Sequence, residues 1–149
     1  MINIFEHYQL GEKLYQQVVS TVYKKYNLTY MEFTVIMFLY NNKYDTANDI
    51  VKYRGLTKSH ISISVKSLEE KGLLEEKYYD NDRRSKHLIL TDKCTKIAID
   101  GKKAQDEFKN ILHYGLTKED NNKLLEIVET INNNIKANLD DFRRDNNAK

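Results

Sequence analysis

Gly72-Leu-Leu-Glu-Glu-Lys-Tyr-Tyr79, Asp80-Asn-Asp-Arg-Arg-Ser85 and Lys86-His-Leu-Ile-Leu-Thr91 are three consecutive pieces of one stretch in which the chain changes its period. Upstream of Gly72, apolar residues recur every three or four positions, as on a helix. Downstream they alternate, as on a strand. Leu74, Glu76 and Tyr78 share one face of the first piece, and Leu88 and Leu90 share one face of the third. The middle piece is polar and turn-prone. The stretch therefore predicts a β-hairpin with a charged tip at residues 80–85 that carries Arg83 and Arg84 side by side. Asp82 and Arg84 lie two residues apart. A strand reaching that far would put them on one face, where the carboxylate could hold an arginine in place.

Working upstream, Thr46-Ala-Asn-Asp49 has the spacing of an N-terminal helix cap, and Ile50, Val51 and Tyr53 supply a short apolar face. Gly55-Leu-Thr57 makes a brief turn. A helix from Lys58 to Lys71 follows, with Ile61, Val65 and Leu68 at inward spacing. Two short helices joined by a glycine-containing turn form a helix-turn-helix pattern, and a hairpin placed directly after it is a wing. The second helix would expose Thr57, Lys58, Ser59, His60, Ser62, Ile63, Lys66 and Ser67. Short hydroxyl side chains let a helix approach base edges closely, and lysines suit phosphates. Arginine suits a narrow minor groove. The pattern implies double-stranded DNA as a partner. The candidate contacts are Thr57, Lys58, Ser59, His60, Ser62, Ile63, Lys66, Asp82, Arg83, Arg84 and Lys86.

Working outward, a first helix is predicted over residues 4–26. Leu10, Leu14, Val18 and Val22 form its stripe, broadened by Phe5, Tyr15 and Val19. A second, Met31–Asn41, is apolar almost all round and belongs at the centre, with Thr29 and Glu32 as a capping box. Residues 91–114 read as helical. Another helix starts at Thr117, with Leu124, Val128, Ile131, Ile135, Leu139 and Phe142 at alternating three- and four-residue steps. That stripe needs a partner, either a second copy or the first helix of the same chain. Candidate dimerisation residues are Leu10, Leu14, Val18, Leu124, Val128, Ile131, Ile135 and Leu139. Gly55, Gly72 and Gly115 follow helical patterns as left-handed caps, whereas Gly11 and Gly101 look merely tolerated inside helices.

The expected fold is mostly α with a small β-hairpin wing (α+β), a single domain over residues 1–149. A DNA-binding lobe would span 30–91, with helical dimerisation regions at 1–26 and 92–145. The composition agrees. With 149 residues, 40% hydrophobic and 31% charged, the chain can bury a core, and no apolar run approaches a membrane span. No membrane partner is implied. The N-terminus lacks the pattern of a signal peptide, and a lone Cys94 forms no internal disulfide, so a cytoplasmic location is expected. Residues 52–87 carry nine basic and six acidic side chains, which concentrates positive charge in a chain whose net is only +2. The scattered His7, His60, His87 and His113 have no metal-ligand spacing. There is no glycine-rich phosphate loop or nucleophile elbow. Neither a catalytic role nor a cofactor is expected. The competing reading is a winged-helix protein-interaction module without DNA binding, which would have no need of the wing arginines.

Asp82-Arg-Arg84 followed by Leu90-Thr91 resembles the wing signature of the MarR family, and Leu68-Glu-Glu-Lys-Gly72-Leu73 resembles its junction between recognition helix and wing. The order of elements is similar from about residue 4 to 143. The resemblance implies a homodimeric transcription regulator that binds a pseudo-palindromic operator. Its recognition helix would enter the major groove, and Arg84, oriented by Asp82, the minor groove. The first, fifth and sixth helices would form the dimer. It also implies a small-molecule effector pocket, with Phe5, Tyr8, Tyr15 and Tyr30 as candidate lining or as ordinary core. Lysine and tyrosine abundance is similar to the Sar-type subgroup, and the two subgroups are not separated by these residues. Cys94 stands where the family has a glycine, and Ile63 where members often carry a basic residue.

Overall fold

Helices α1 (Ile4–Lys25), α2 (Tyr30–Asn41), α3 (Ala47–Arg54) and α4 (Lys58–Glu70) are followed by strands β1 (Leu74–Tyr79) and β2 (Asp82–Leu90). A 3-10 turn (Asp92–Cys94), α5 (Thr95–Leu112) and α6 (Lys118–Asn147) complete the order. The computed structural model describes residues 3–147, with side chains at 3 and 6–139. Phe5 and Phe142, assigned to apolar stripes from the sequence, lie outside the described side chains. By its contacts the chain divides after Lys109 into two units.

In the first unit, α2 is the hub. Phe33, Val35, Ile36, Met37 and Phe38 are all buried, as an apolar circumference requires. Helix α1 covers it with Val19 and Val22, α3 contributes Ile50, and α4 contributes Ile61, Val65 and Leu68. The starts of α2 and α3 are fixed by side chains. The Thr29 hydroxyl accepts the Glu32 N–H while the Glu32 carboxylate accepts the Thr29 N–H, and Thr46 with Asp49 repeats the arrangement. Two stops use left-handed glycines: Gly55, at φ +62°, is the C-cap of α3, and Gly72, at φ +69°, directly follows Lys71, the C-cap of α4. Asn27, at φ +54°, ends α1 in the same way, with the Leu28 N–H reaching back to the Tyr23 carbonyl. Asparagine tolerates this conformation because its short polar side chain bonds locally.

Two expectations need correction. Gly101, on α5, is not merely tolerated. A Cβ there would lie 2.4 Å from Met37 Sδ and 2.9 Å from Phe33 Cε2, so glycine is what lets α5 approach α2. Ser67 does not face solvent. It is half-buried, and its hydroxyl donates to the buried Glu32 carboxylate. Lys71 Nζ donates to both oxygens of that carboxylate, at 2.8 and 2.9 Å. Burial raises the Glu32 pKa, and the bonds from Lys71, Ser67 and the Thr29 N–H outweigh it, holding the group ionised below its usual range. This cluster pins the C-terminal end of α4 to the start of α2.

The second unit, residues 110–149, carries the end of α5 and most of its length in α6. Thr117 and Asp120 cap α6 reciprocally. Leu124, Val128, Ile131, Ile135 and Leu139 form an apolar stripe that is exposed on this unit.

Candidate nucleic-acid interface

Helix α4 divides cleanly into two faces because its apolar residues fall at i, i+4 and i+7. Ile61, Ser64, Val65 and Leu68 are buried against the core. Thr57, Lys58, Ser59, His60, Ser62, Ile63 and Lys66 are exposed. The Thr57 hydroxyl caps the helix by accepting the His60 N–H, and the Ser64 hydroxyl donates to the His60 carbonyl. Neither bond engages the outward hydroxyls of Ser59 and Ser62.

The hairpin follows directly. Strands β1 and β2 pair antiparallel from Leu74↔Leu90 to Tyr79↔Asp82, with a bulge between Lys77 and Tyr79. Leu74 and Leu88 are buried, which seats one face of the hairpin on the core. The turn is shorter than the six residues expected, because β2 begins at Asp82 and leaves only Asp80 and Asn81 as the connection. Asp82 through Ser85 therefore belong to the strand. Lying next to a tight turn, they leave backbone N–H groups to satisfy. Asp82 Oδ1 accepts the N–H of Arg84 at 3.1 Å and of Ser85 at 3.2 Å. The carboxylate thus holds Arg84 by its backbone, not by its guanidinium as the shared face had suggested. The Ser85 hydroxyl and these N–H groups keep Asp82 ionised below its usual range. The Arg84 side chain is exposed. Arg83 pairs loosely with Asp80 at 3.3 Å, both in solvent, and Lys86 pairs with Glu76 across the hairpin at 2.5 Å.

One link escaped the sequence reading. The segment before α3 joins the sheet, with Thr46 bridging His87 and the Leu88 N–H donating to the Asp45 carbonyl at 2.7 Å. His87 Nδ1 lies 2.8 Å from Asp45 Oδ1, and its Nε2 lies 3.5 Å from Asp82 Oδ2, an ion-pair distance and too long for a good hydrogen bond. The imidazole thus connects the root of the wing to the start of the helix-turn-helix. A histidine separated by 42 residues from its carboxylate leaves no local spacing by which to find it.

The remaining candidates are dispersed. Leu10 is 66% exposed, Leu14 half-buried, and Val18 packs on the core of its own unit. Of the aromatic residues considered for an effector pocket, Tyr15 packs edge-on to Phe108, and the Tyr30 hydroxyl donates to Glu12. Tyr8 is exposed. Cys94 is fully buried, and burial pushes its thiol up to about 11. Among the described residues, no three His, Cys, Asp or Glu side chains gather as a metal ion would require.

The family model of the MarR family matches residues 26–85, from the end of α1 to the second half of the wing. The HTH-type transcriptional regulator MgrA of Staphylococcus aureus is 27% identical over 103 residues, which is 69% of this chain and 70% of the relative. Among solved structures, a regulator described as MarR family, from Listeria monocytogenes and complexed with 26mer DNA, is similar with a TM-score of 0.80 at 19% identity. The match covers 91% of this chain and 90% of that one. The S. aureus MepR–DNA complex is similar with a TM-score of 0.74 at 20% identity, covering 90% and 99%. At these identities the structural matches speak for the fold.

Proposed function

We propose that this chain is a member of the MarR family, whose model it matches over residues 26–85, and that it is a DNA-binding transcription regulator. It binds a pseudo-palindromic operator as a homodimer, with α4 in the major groove and the wing in the minor groove. The observation that carries this reading is the outward face of α4, where Ser59, Ser62, Ile63 and Lys66 stand exposed beside a wing presenting Arg84. Such a surface combines close approach, phosphate neutralisation and minor-groove charge in one lobe. We assign DNA binding to residues 30–91, with Thr57, Lys58, Ser59, His60, Ser62, Ile63, Lys66, Asp82, Arg83, Arg84 and Lys86 as its contacts.

Dimerisation is assigned to residues 1–26 and 92–145. An exposed apolar stripe of five side chains on α6, and Leu10 on α1, support it, because such surface is costly to leave in water. One recognition helix per chain then requires two half-sites about one helical turn, roughly 10 base pairs, apart. No helix is long and apolar enough to cross a membrane among the described residues; the proposed DNA ligand supports a cytoplasmic location. The function needs no catalytic group.

A gel shift against DNA flanking the protein's own gene tests the reading, alongside sedimentation at micromolar concentration. A retarded complex with a two-half-site footprint and a dimeric mass are expected. A monomer that leaves all such DNA unshifted would overturn it in favour of a protein-interaction module.

A further inference from the structure

Ile63 is the one large apolar side chain that α4 turns to solvent, at 65% exposure, while Ile61, Val65 and Leu68 are all buried. Nothing in the stability of the helix accounts for it. A β-branched residue at an exposed mid-helix position lowers helix propensity, and an exposed isoleucine gains nothing from burial. Its neighbours sharpen the anomaly. Ser59 stands one turn before it and Ser62 beside it, both exposed and short, and Lys66 stands one turn after. The isoleucine therefore projects beyond the hydroxyls that flank it, on the face that carries the proposed DNA contacts.

The floor of the B-DNA major groove presents hydrogen-bond donors and acceptors at every base pair, and a single kind of apolar group, the C5-methyl of thymine. An aliphatic side chain seated on amino, carbonyl or ring-nitrogen groups would desolvate them without bonding. We infer that Ile63 reads the methyl group of a thymine in each half-site and so determines the base preference at that position. The inference rests on the DNA-binding reading and deepens it. Ser59 and Ser62, being short, allow the approach and can bond to adjacent base edges.

The test is selection from a randomised duplex library with the wild-type protein and with Ile63→Ala, followed by fluorescence anisotropy on the selected duplex. In the anisotropy series each thymine is replaced in turn by deoxyuridine, which differs only in lacking the methyl group. Ile63 is exposed, so the variant is expected to melt with the wild type. Wild type should select a thymine in each half-site and lose about three- to fivefold in affinity when that base becomes deoxyuridine, the ratio that burial of one methyl group confers. Ile63→Ala should bind the two duplexes equally. If every thymine tolerates the exchange in wild type, or the variant keeps the same discrimination, the inference falls while the DNA-binding reading stands. If selection enriches no sequence with either protein, the DNA-binding reading itself falls and takes the inference with it.

Discussion

His87 Nδ1 and Asp45 Oδ1 are 2.8 Å apart, and this contact joins the wing to the segment that opens the helix-turn-helix. The groups around the imidazole are Asp45, the more distant Asp82 and the ring of Tyr79, whose centroid is 4.8 Å away. Its position makes the wing's attachment sensitive to protonation.

The hydrogen bond to Asp45 is the main cause that raises the His87 pKa, with Asp82 adding to it and burial opposing. A raised folded pKa means that the linked stability is fully present below the unfolded value of about 6.5 and is lost as pH rises through the folded value. Asp82 runs the other way. Its pKa is lowered, so its contribution holds above about pH 4 and fails as pH falls through the folded value. Melting temperatures of wild type and His87→Asn should therefore differ most below the unfolded value of about pH 6.5, and the gap should narrow as pH rises above it. A gap that stays constant as pH rises would refute the link.

The two helical glycines should respond in opposite directions. Gly11 has nothing within 4 Å of the position a Cβ would take, so Gly11→Ala should stabilise by about 0.5–1 kcal/mol through helix propensity. Gly101→Ala would press on Met37 and Phe33, both buried, and should destabilise by about 1–3 kcal/mol. Urea denaturation of both variants is the check, and equal shifts would show that α5 can yield.

These two glycines mark the limit of what the sequence discloses. The heptad-like spacings, the caps at Thr29 and Thr46, and the change of period after Gly72 are local, and each was legible. So was the outward face of α4, because burial on a helix follows from position. What depends on neighbours distant in the chain was hidden. Gly101 meets Met37, Ser67 and Lys71 meet Glu32, and His87 meets Asp45 only once the fold brings them together. The hairpin tip was misjudged for a different reason. Asp82 through Ser85 form a stretch of strand in which no side chain is buried, and polarity alone does not separate an unburied strand from a loop.

Cys94 should be inert to oxidants. Only a thiolate reacts readily, and burial both raises this thiol to about 11 and shields it from solvent. DNA affinity should be indifferent to micromolar peroxide in wild type and in Cys94→Ala alike. A peroxide-induced loss of binding that disappears in the variant would contradict this.

The wing and the recognition helix should fail differently when cut. If Arg84 enters the minor groove, it meets a negative potential that is strongest where the groove is narrow, as in A-tracts. Arg84→Ala should then cost about 1–3 kcal/mol, roughly tenfold to a hundredfold in affinity. The loss should shrink on operators with G·C-rich flanks. Lys66→Ala, if the lysine touches phosphate, should weaken all sequences alike and reduce the salt slope by about one unit. Asp82 provides the internal control, because it acts on the Arg84 backbone. An asparagine oxygen can still accept the Arg84 and Ser85 N–H groups, so Asp82→Asn should retain most of the affinity. Asp82→Ala should reproduce part of the Arg84 defect. Fluorescence anisotropy on A-tract-flanked and G·C-flanked operators across a salt series separates these outcomes. Should Arg84→Ala bind both operators as tightly as wild type, the wing does not contact DNA, and α4 alone must carry recognition.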